Sequence, residues 1–385
     1  MSKKMFDNKV AQAATSRNSS LQRRVFAVFV AVALACTGVA APATAFADEV
    51  TASGALTTQA VTPDGKFYYT IESDGVHLFD YNISSKNVVV PAKIEGKNVV
   101  LVQLSQSGLT SLDVSACVAL KTLYCDHNAL TTLDVSKNLE LRELSCSSNR
   151  LTALNIHKNT KLVELDCVFN KLTTLDVSRN TKLASLHCSG NKLTKLDVTK
   201  NTKLEDLVCH ENKLTKLNVS KNINLTWLMC ESNKLKKLDV SKNKKLTHLE
   251  CAGNKLTKLN VANNKKLWNL DCSRNKLTKL DVTKNAKLGI LFVDSNKLKK
   301  LNVTKNTKLE RLSCEKNKLA KLDVSKNKKL MFLWCNDNKL TKLDISKNKK
   351  LELLKCHRNS ISDTSKLKAW LKKEEHDGKI MPQYT

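Results

Sequence analysis

A 21-residue period governs the chain from residue 99 to residue 361. A typical unit is LASLHCSGNKLTKLDVTKNTK, residues 183–203, whose first leucine is position 1 below. There are twelve complete units, the first of them degenerate, and a thirteenth that ends after Ile361. Twelve leucines in fixed phase begin the regular units: Leu120, Leu141, Leu162, Leu183, Leu204, Leu225, Leu246, Leu267, Leu288, Leu309, Leu330 and Leu351. Such a period predicts a solenoid in which each unit is one coil that contacts its neighbours.

Six positions of each unit are apolar, namely 1, 4, 6, 11, 14 and 16. Six side chains cannot form a core within one coil, but stacked coils bury them against each other. Positions 4 and 6, such as Leu186 and Cys188, have the spacing of a strand, and so do positions 14 and 16. We therefore predict a right-handed solenoid of about 13 coils. A parallel β-sheet is expected on one wall and a second wall of short strands opposite.

Asparagine recurs at positions 9 and 19, as in Asn191 and Asn201. An amide side chain both donates and accepts hydrogen bonds, so it can satisfy the backbone groups that a buried corner leaves unpaired. We predict that these residues form two buried, structural columns along the stack.

Eleven of the thirteen cysteines occupy position 6. Leu104 and Val293 fill that position in the other two coils, so the site selects for small apolar volume. Side chains of adjacent coils would lie parallel and about 4.8 Å apart, whereas a disulfide needs Cβ atoms about 3.8 Å apart with a twisted torsion. No CxxC pair of the kind found in zinc sites is present. We predict a ladder of buried free thiols without disulfides or metal, and a partly accessible thiol at Cys117, which replaces a corner asparagine.

The first 47 residues have the features of a secretory signal. Residues 1–24 carry six basic residues and one acid, an apolar run covers 25–41, and Ala45 and Ala47 precede the expected cleavage point. The alternatives are an uncleaved anchor, although the run is shorter than the roughly 20 residues of a membrane span, and lipidation of Cys36. Cleavage after Ala47 would lower the net charge from +29 to +24. No later segment is apolar enough to span a bilayer, so we expect a secreted protein, extracellular or held non-covalently at the cell surface.

Both ends of the repeat array are expected to be capped. Residues 48–62 are small and polar and predict a flexible leader, and strand-like runs in 63–98 predict a β-rich N-terminal cap. Residues 362–385 are expected to form a capping helix and tail. There, Asp363 can cap the helix, and Leu367, Trp370 and Leu371 share one stripe.

The repeat pattern L-x-x-L-x-C-x-x-N-x-L-T-x-L-D-V-S-x-N resembles bacterial internalin-type leucine-rich repeats, above all the internalin J-like subgroup with 21-residue units and a cysteine ladder. The resemblance covers about two thirds of the chain. It implies a surface or secreted protein that binds other macromolecules through a concave sheet, often in adhesion to host tissue. The chain departs from anchored members because it shows neither a cell-wall sorting motif nor appended immunoglobulin-like or mucin-binding modules.

Recognition is expected at the variable positions of the strand wall, 2, 3, 5, 7 and 8. From Lys121 to Arg358 these positions hold fifteen acids and seven lysines or arginines, a balance of −8 in a basic chain. Exposed aromatic residues among charges are typical anchors of protein interfaces. The alternative is that these rings only stabilise the sheet. The candidate binding residues are Tyr124, Phe169, Trp227, Met229, Trp268, Phe292, Met331, Phe332, Trp334, Glu205, Asp206, Glu231, Glu250, Asp271 and Asp294.

The other faces are rich in lysine, with columns at positions 10, 13, 18, 20 and 21. Such columns favour binding of anionic polymers such as teichoic acid, sulfated or sialylated glycans, or DNA. No aromatic residues interleave with this face, so sequence-specific recognition of nucleic acid is not expected. The alternative is a solvated face that keeps the stack soluble.

Catalysis is not expected. His187, His210 and His248 lie at variable positions without a recurrent nucleophile or acid in register, and the ladder thiols point inward. The chain has no glycine-rich phosphate loop, paired-carboxylate motif or metal-ligand spacing. We therefore expect a binding protein without a cofactor.

Overall fold

The computed structural model describes residues 60–81 and 85–371. The predicted signal peptide, with Cys36 and Ala47, and most of the predicted leader lie outside the described residues. Within the described part, no helix is long and apolar enough to cross a membrane.

The N-terminal segment forms short strands that extend the main sheet. Strands β1 (Ala60–Val61), β2 (Phe67–Glu72) and β3 (Gly75–Tyr81) pair antiparallel in sequence order. Strand β3 then pairs parallel with β6 (Lys97–Gln103), which belongs to the first coil. Strand β5 (Lys93–Ile94) pairs antiparallel with β6. The β2–β3 hairpin thus covers the sheet edge that the first coil would otherwise expose.

Each of the twelve regular coils contributes one three-residue strand at positions 3–5, and consecutive strands pair in parallel with an offset of 21 residues. Side chains at the same position of successive coils therefore lie side by side. The strands are β8 (Thr122–Tyr124), β9 (Glu143–Ser145), β10 (Glu164–Asp166), β11 (Ser185–His187), β12 (Asp206–Val208), β13 (Trp227–Met229), β14 (His248–Glu250), β15 (Asn269–Asp271), β16 (Ile290–Phe292), β17 (Arg311–Ser313), β18 (Phe332–Trp334) and β19 (Leu353–Lys355).

The six apolar positions form the core, as predicted. In the coil that begins at Leu183, the side chains at positions 1, 4, 6, 11 and 16 are fully buried, and Leu196 at position 14 is 7% exposed. The same values recur from coil to coil and join into one continuous hydrophobic cluster. The predicted solenoid of about 13 coils with a parallel sheet is confirmed.

The two asparagine columns hold adjacent coils in register. The Asn191 amide donates to the carbonyls of Cys167 and Cys188 at 3.0 and 3.1 Å, and its oxygen accepts from the Leu172 N–H at 3.0 Å. At position 19, Asn201 donates to the carbonyls of Val177 and Asn180, both at 2.9 Å. Both amides therefore bond buried backbone groups of the preceding coil.

The cysteine ladder is confirmed. Each of the twelve cysteines in the described part of the chain is a buried free thiol. Position 6 follows the strand, yet its N–H still bonds the next coil, as from Cys188 to the Val208 carbonyl at 2.8 Å. Burial raises the pKa of the Cys188 thiol to about 12 and holds these groups in the neutral form.

The expected accessibility of Cys117 was wrong. Its side chain is 1% exposed because it lies beneath the N-terminal cap, with its sulfur 3.7 Å from the Val90 carbonyl and 3.4 Å from that of Pro91. The cap covers the corner where a sulfur replaces the usual amide.

The second wall of strands occurs only in the first coil. Strand β7 (Ser111–Asp113), at positions 13–15, pairs in parallel with β4 (Asn87–Val89) of the cap. In the later coils, positions 12–16 of the described chain form no strand. There the aspartate or asparagine at position 15 accepts a bond from the N–H of position 17, as Asp197 does from Thr199 at 2.9 Å. The first coil has the same turn, with Asp113 accepting from the Ser115 N–H at 2.8 Å, so its strand depends on the partner strand β4 that the cap supplies.

The stack ends in helix α1 (Ser365–Leu371). Asp363 accepts a hydrogen bond from the Ser365 N–H at 3.0 Å, close to the helix start. Leu367 is 1% exposed, and Trp370 packs against the core cluster. The helix thereby covers the apolar end of the last coil. The side chain of Leu371 lies outside the described part.

Candidate functional site

We call the face formed by positions 2, 3, 5, 7 and 8 the sheet wall. A turn follows each strand there, and position 8 has a left-handed backbone in all thirteen coils, with φ of +62° at Gly190 and +52° at Phe169. Only Gly190 and Gly253 are glycine at this position. Because the offset between coils is constant, large side chains on the wall can contact each other only in columns or between adjacent columns.

A first aromatic cluster lies on the coils that begin at residues 225, 246 and 267. The rings of Trp227 and His248 stack with centroids 4.0 Å apart and an interplanar angle of 9°. Trp268 lies 5.6 Å from His248 in a tilted arrangement and is 43% exposed. The next coil has Gly289 beside the Trp268 ring, where a Cβ atom would come within 2.5 Å of the indole nitrogen. The local sequence therefore makes room for a large exposed ring.

A second aromatic cluster lies toward the C-terminal end of the wall. Phe332 and Trp334 stack at 5.8 Å, and Phe292 meets Trp334 edge to face at 6.4 Å. The guanidinium of Arg311 lies 5.2 Å from the Phe332 ring centroid, a cation–π contact. A depression of about 290 Å³ lies among Phe292, Asp294, Ser313, Glu315, Trp334 and Lys355.

Five carboxylates lie on five consecutive coils that also carry residues of the two clusters. They are Glu231, Glu250, Asp271, Asp294 and Glu315. We call them the carboxylate row. None of them forms an ion pair with another residue of the described chain. The amide of Asn269 donates to Glu250 at 2.9 Å, and the N–H groups of Ser273 and Glu315 donate to Asp271 and Asp294.

Four members of the row have a pKa above the usual value of a carboxyl group. Burial and the neighbouring Glu250 raise the pKa of Glu231 well above its usual value, and burial also raises the pKa of Glu250 and Asp271. Burial raises the pKa of Asp294 to about 6 against the hydrogen bond from Ser313. A partly desolvated row of like charges is stabilised by an approaching cation.

Comparisons with known proteins place this geometry in a family. No family model and no curated protein matches the chain. Among solved structures, the functional domain of InlJ from Listeria monocytogenes, which includes a cysteine ladder, is 39% identical to it. The match covers 73% of this chain and 67% of that one, with a TM-score of 0.69. The chain belongs to the internalin family.

More distant structures share the solenoid fold with this internalin. Internalin InlF from Listeria monocytogenes is 21% identical, with 74% of this chain and 80% of that one covered and a TM-score of 0.59. The plant peptide hormone receptor RGFR1, solved in complex with RGF2, is 15% identical. That match covers 80% of this chain and 64% of the receptor, with a TM-score of 0.58. At these identities the likeness concerns the fold alone.

Some of the predicted binding residues are not exposed in this internalin. Tyr124 is 7% exposed, with its hydroxyl bonded to Glu143, and Met229 is 2% exposed. The prediction that these two side chains offer exposed anchors was therefore wrong, because the neighbouring coils cover them. Phe169 is 40% exposed but lies over Gly190, three coils before the first aromatic cluster.

The remaining predicted residues lie on or beside the two clusters. Glu205 is exposed and Asp206 half-buried on the coil before Trp227, and Asp206 pairs with Trp227 in the strand register. Met331 is half-buried beside the second cluster. Glu231, Glu250, Asp271 and Asp294 belong to the carboxylate row.

Three residues of this arrangement were missed from the sequence: His248, Arg311 and Glu315. From the sequence, His248 is considered only as a catalytic residue, a role for which it has no partner in register. The available signal was its offset of 21 residues from Trp227, which places the two rings in one column. Arg311 and Phe332 show the same offset.

Acid pairs also occur earlier on the wall. Burial raises the pKa of Glu164 and of Asp166 to about 7 in each case.

The described residues contain no group of three or more side chains suited to hold a metal ion.

Proposed function

We propose that this internalin is a secreted protein that binds another protein or glycoprotein through the C-terminal half of its sheet wall, in adhesion or host interaction. The observation that carries the proposal is the juxtaposition of two aromatic clusters with the carboxylate row on one continuous face. Membership of the internalin family supports it, as does the fold shared with a receptor that was solved in complex with a peptide hormone.

The aromatic clusters supply the contact area. Trp268 is 43% exposed, and Trp227, Phe292, Phe332 and Trp334 are half-buried on the same wall. Their faces are already aligned by stacking within the wall, so a partner that packs on them loses little additional side-chain freedom at the interface. Tryptophan is enriched among residues that dominate binding energy.

The carboxylate row supplies the charge preference. Its members are partly buried and lack ion pairs within the described chain, and Arg311 is engaged by the Phe332 ring. A lysine or arginine of the partner that enters the row would neutralise desolvated carboxylates and contact the flanking rings at the same time. The partner surface is therefore basic, with apolar or aromatic residues beside the basic ones.

A random peptide library displayed on phage, selected on the purified chain, tests the proposal. We expect enriched peptides to contain arginine or lysine next to aromatic residues. Trp227→Ala and Trp268→Ala should each weaken a selected peptide by roughly 30-fold, the effect of losing about 2 kcal/mol at a dominant contact.

Two matched variants separate the row from the overall charge. Asp271→Asn should weaken binding of the peptide. Asp281→Asn removes an equal charge at an exposed position of the same coil, outside the sheet wall, and should not. Peptides whose affinity ignores all three wall variants would contradict the proposal, provided that circular dichroism shows the variants folded.

A further inference from the structure

Positions 10 and 13 of the coils, outside the sheet wall, carry a regular array of lysines. In eight consecutive coils both position 10 and position 13 are lysine, and each of these residues is exposed. We call this array the lysine strip. Its members are Lys192, Lys195, Lys213, Lys216, Lys234, Lys237, Lys255, Lys258, Lys276, Lys279, Lys297, Lys300, Lys318, Lys321, Lys339 and Lys342.

The backbone holds the strip at a fixed spacing. The N–H of every position-10 lysine in the strip donates to the carbonyl of position 11 in the preceding coil at 2.8–2.9 Å, as from Lys255 to Leu235. The position-10 column therefore advances about 4.8 Å per coil, and eight coils cover about 34 Å. The two columns lie at most about 10 Å apart, because three residues of extended chain separate them.

The strip has no neutralising partners in the described part of the chain. None of the sixteen lysines forms an ion pair there. The nearby aspartates at position 15 interact instead with residues at positions 17 and 18. The pKa of Asp239 is lowered first by hydrogen bonds from Ser241 and then by the charge of Lys242 at position 18, and Asp281 has the same relation to Thr283 and Lys284.

The lysines of position 18 thus lie beside carboxylates, whereas those of the strip do not. Two parallel columns of uncompensated ammonium groups attract a linear chain of anionic groups that runs along the solenoid axis and releases its counterions. Between the columns the side chains are mainly threonine, and positions 10–13 of these eight coils include no aromatic ring for bases to stack on.

We infer that the lysine strip is a second binding site, separate from the sheet wall, for a linear glycan polymer that carries sulfate or phosphate groups. The polymer lies along the coil axis with its anionic groups between the two columns. Affinity therefore grows with polymer length until the chain spans the strip.

Heparin oligosaccharides of increasing length, titrated against the purified chain at several salt concentrations, test this site. The strip variant changes Lys234, Lys237, Lys255 and Lys258 to glutamine. The matched variant changes Lys200, Lys242, Lys284 and Lys326, all at position 18, to glutamine and so removes the same charge. All eight residues are exposed, so both variants should fold.

We expect the strip variant to raise the heparin Kd about tenfold and to reduce the slope of log K against log salt by about three, since each contacted charge contributes roughly 0.7–0.9. The matched variant should change Kd less than about twofold. Desulfated heparin should not bind. Trp227→Ala should leave heparin affinity unchanged, so this site and the wall are tested separately.

Two results would overturn the inference. Equal losses in the two lysine variants would show that heparin responds only to net charge. Thymidine oligonucleotides of the same charge that bind as tightly as heparin, with the same loss in the strip variant, would show that the strip does not select a glycan polymer.

Discussion

The sheet wall and the lysine strip belong to the same coils but differ in how much their residues vary from coil to coil. On the strip, lysine recurs at positions 10 and 13 of eight successive coils, and none of these lysines forms an ion pair within the described chain. On the wall, neighbouring coils differ at almost every position, and the side chains contact each other as rings and carboxylates. Repetition therefore gives the strip a uniform positive electrostatic potential, whereas variation between coils gives the wall a surface with a defined shape. The two faces should respond differently to mutation.

The largest loss of stability is expected from neither face but from the column between them. Asn212 donates to the carbonyls of Cys188, Cys209 and His210 and accepts from the Leu193 N–H. Asn212→Ala leaves buried backbone groups unpaired, so we expect a loss of roughly 3–5 kcal/mol in a urea unfolding experiment.

The half-buried Asn224, at the last position of the same coil, donates only to the Thr202 carbonyl at 3.2 Å, so Asn224→Ala should cost less than about 0.5 kcal/mol. Similar losses of stability for Asn212→Ala and Asn224→Ala would show that the buried hydrogen bonds of the corner contribute little to the free energy of unfolding.

At position 8, the wall tolerates a larger side chain only where the preceding coil leaves space. Gly190 and Gly253 share a left-handed backbone, with φ of +62° and +63°. A Cβ atom at Gly190 would meet the Phe169 ring at 2.3 Å, whereas at Gly253 the nearest atom lies at 3.3 Å. Gly253→Ala should cost about 1 kcal/mol and Gly190→Ala about 2–3 kcal/mol.

Thermal unfolding of both variants measures this difference, and adding Phe169→Ala should reduce the cost of Gly190→Ala to that of Gly253→Ala. If the double variant is no more stable than Gly190→Ala alone, ring contact is not the cause.

A single carboxyl on the wall should make stability depend on pH. Burial and the nearby Asp126 raise the pKa of Asp166 to about 7, opposed by a hydrogen bond from the Val168 N–H. The adjacent His187, whose pKa burial lowers to about 4, stays neutral above pH 5. Because the folded-state pKa is raised, the native protein binds this proton more tightly than the unfolded chain does. Its contribution is thus present at acid pH and lost as pH rises through 7.

Asp166→Asn should therefore raise the free energy of unfolding by about 2 kcal/mol at pH 8 but by less than half as much at pH 5, because the loss accumulates between the unfolded pKa of about 4 and the folded pKa of about 7. Urea titrations at the two pH values measure the effect. Asp281→Asn, at an exposed position outside the sheet wall, is the control. A gain of equal size at both pH values would point to a cause other than titration.

The smallest effect is expected on the strip. Lys255 lies between Lys234 and Lys276 in its column and has no ion pair in the described chain. Lys255→Gln relieves repulsion between exposed charges, so we expect a gain of a few tenths of a kcal/mol at low salt. The gain should vanish in molar salt, where screening removes the repulsion. A loss of stability on this substitution would show that the lysine packs rather than repels.

The sequence alone predicted the solenoid, its coil count, the six buried columns, the asparagine corners and the cysteine ladder. These features follow from a period, because a side chain that recurs every 21 residues must occupy the same place in every coil. The second strand wall was predicted too widely, since at positions 13–15 the first coil pairs with strand β4 of the cap, which the repeat itself does not supply. Cys117 was misjudged because its cover comes from the cap, which lies outside the repeat.

The candidate site was only partly predictable. The sequence indicates which positions face away from the core, and it identified Trp227, Trp268, Phe332 and Trp334 as candidates. It did not reveal that Met229 is covered, that His248 lies between two indole rings, or that position 8 is left-handed even where glycine is absent. Contacts across neighbouring coils depend on side-chain size in both coils, as at Trp268 and Gly289. Repetition therefore determines the fold from sequence, and only the packing of unlike neighbours decides which side chains remain available for binding.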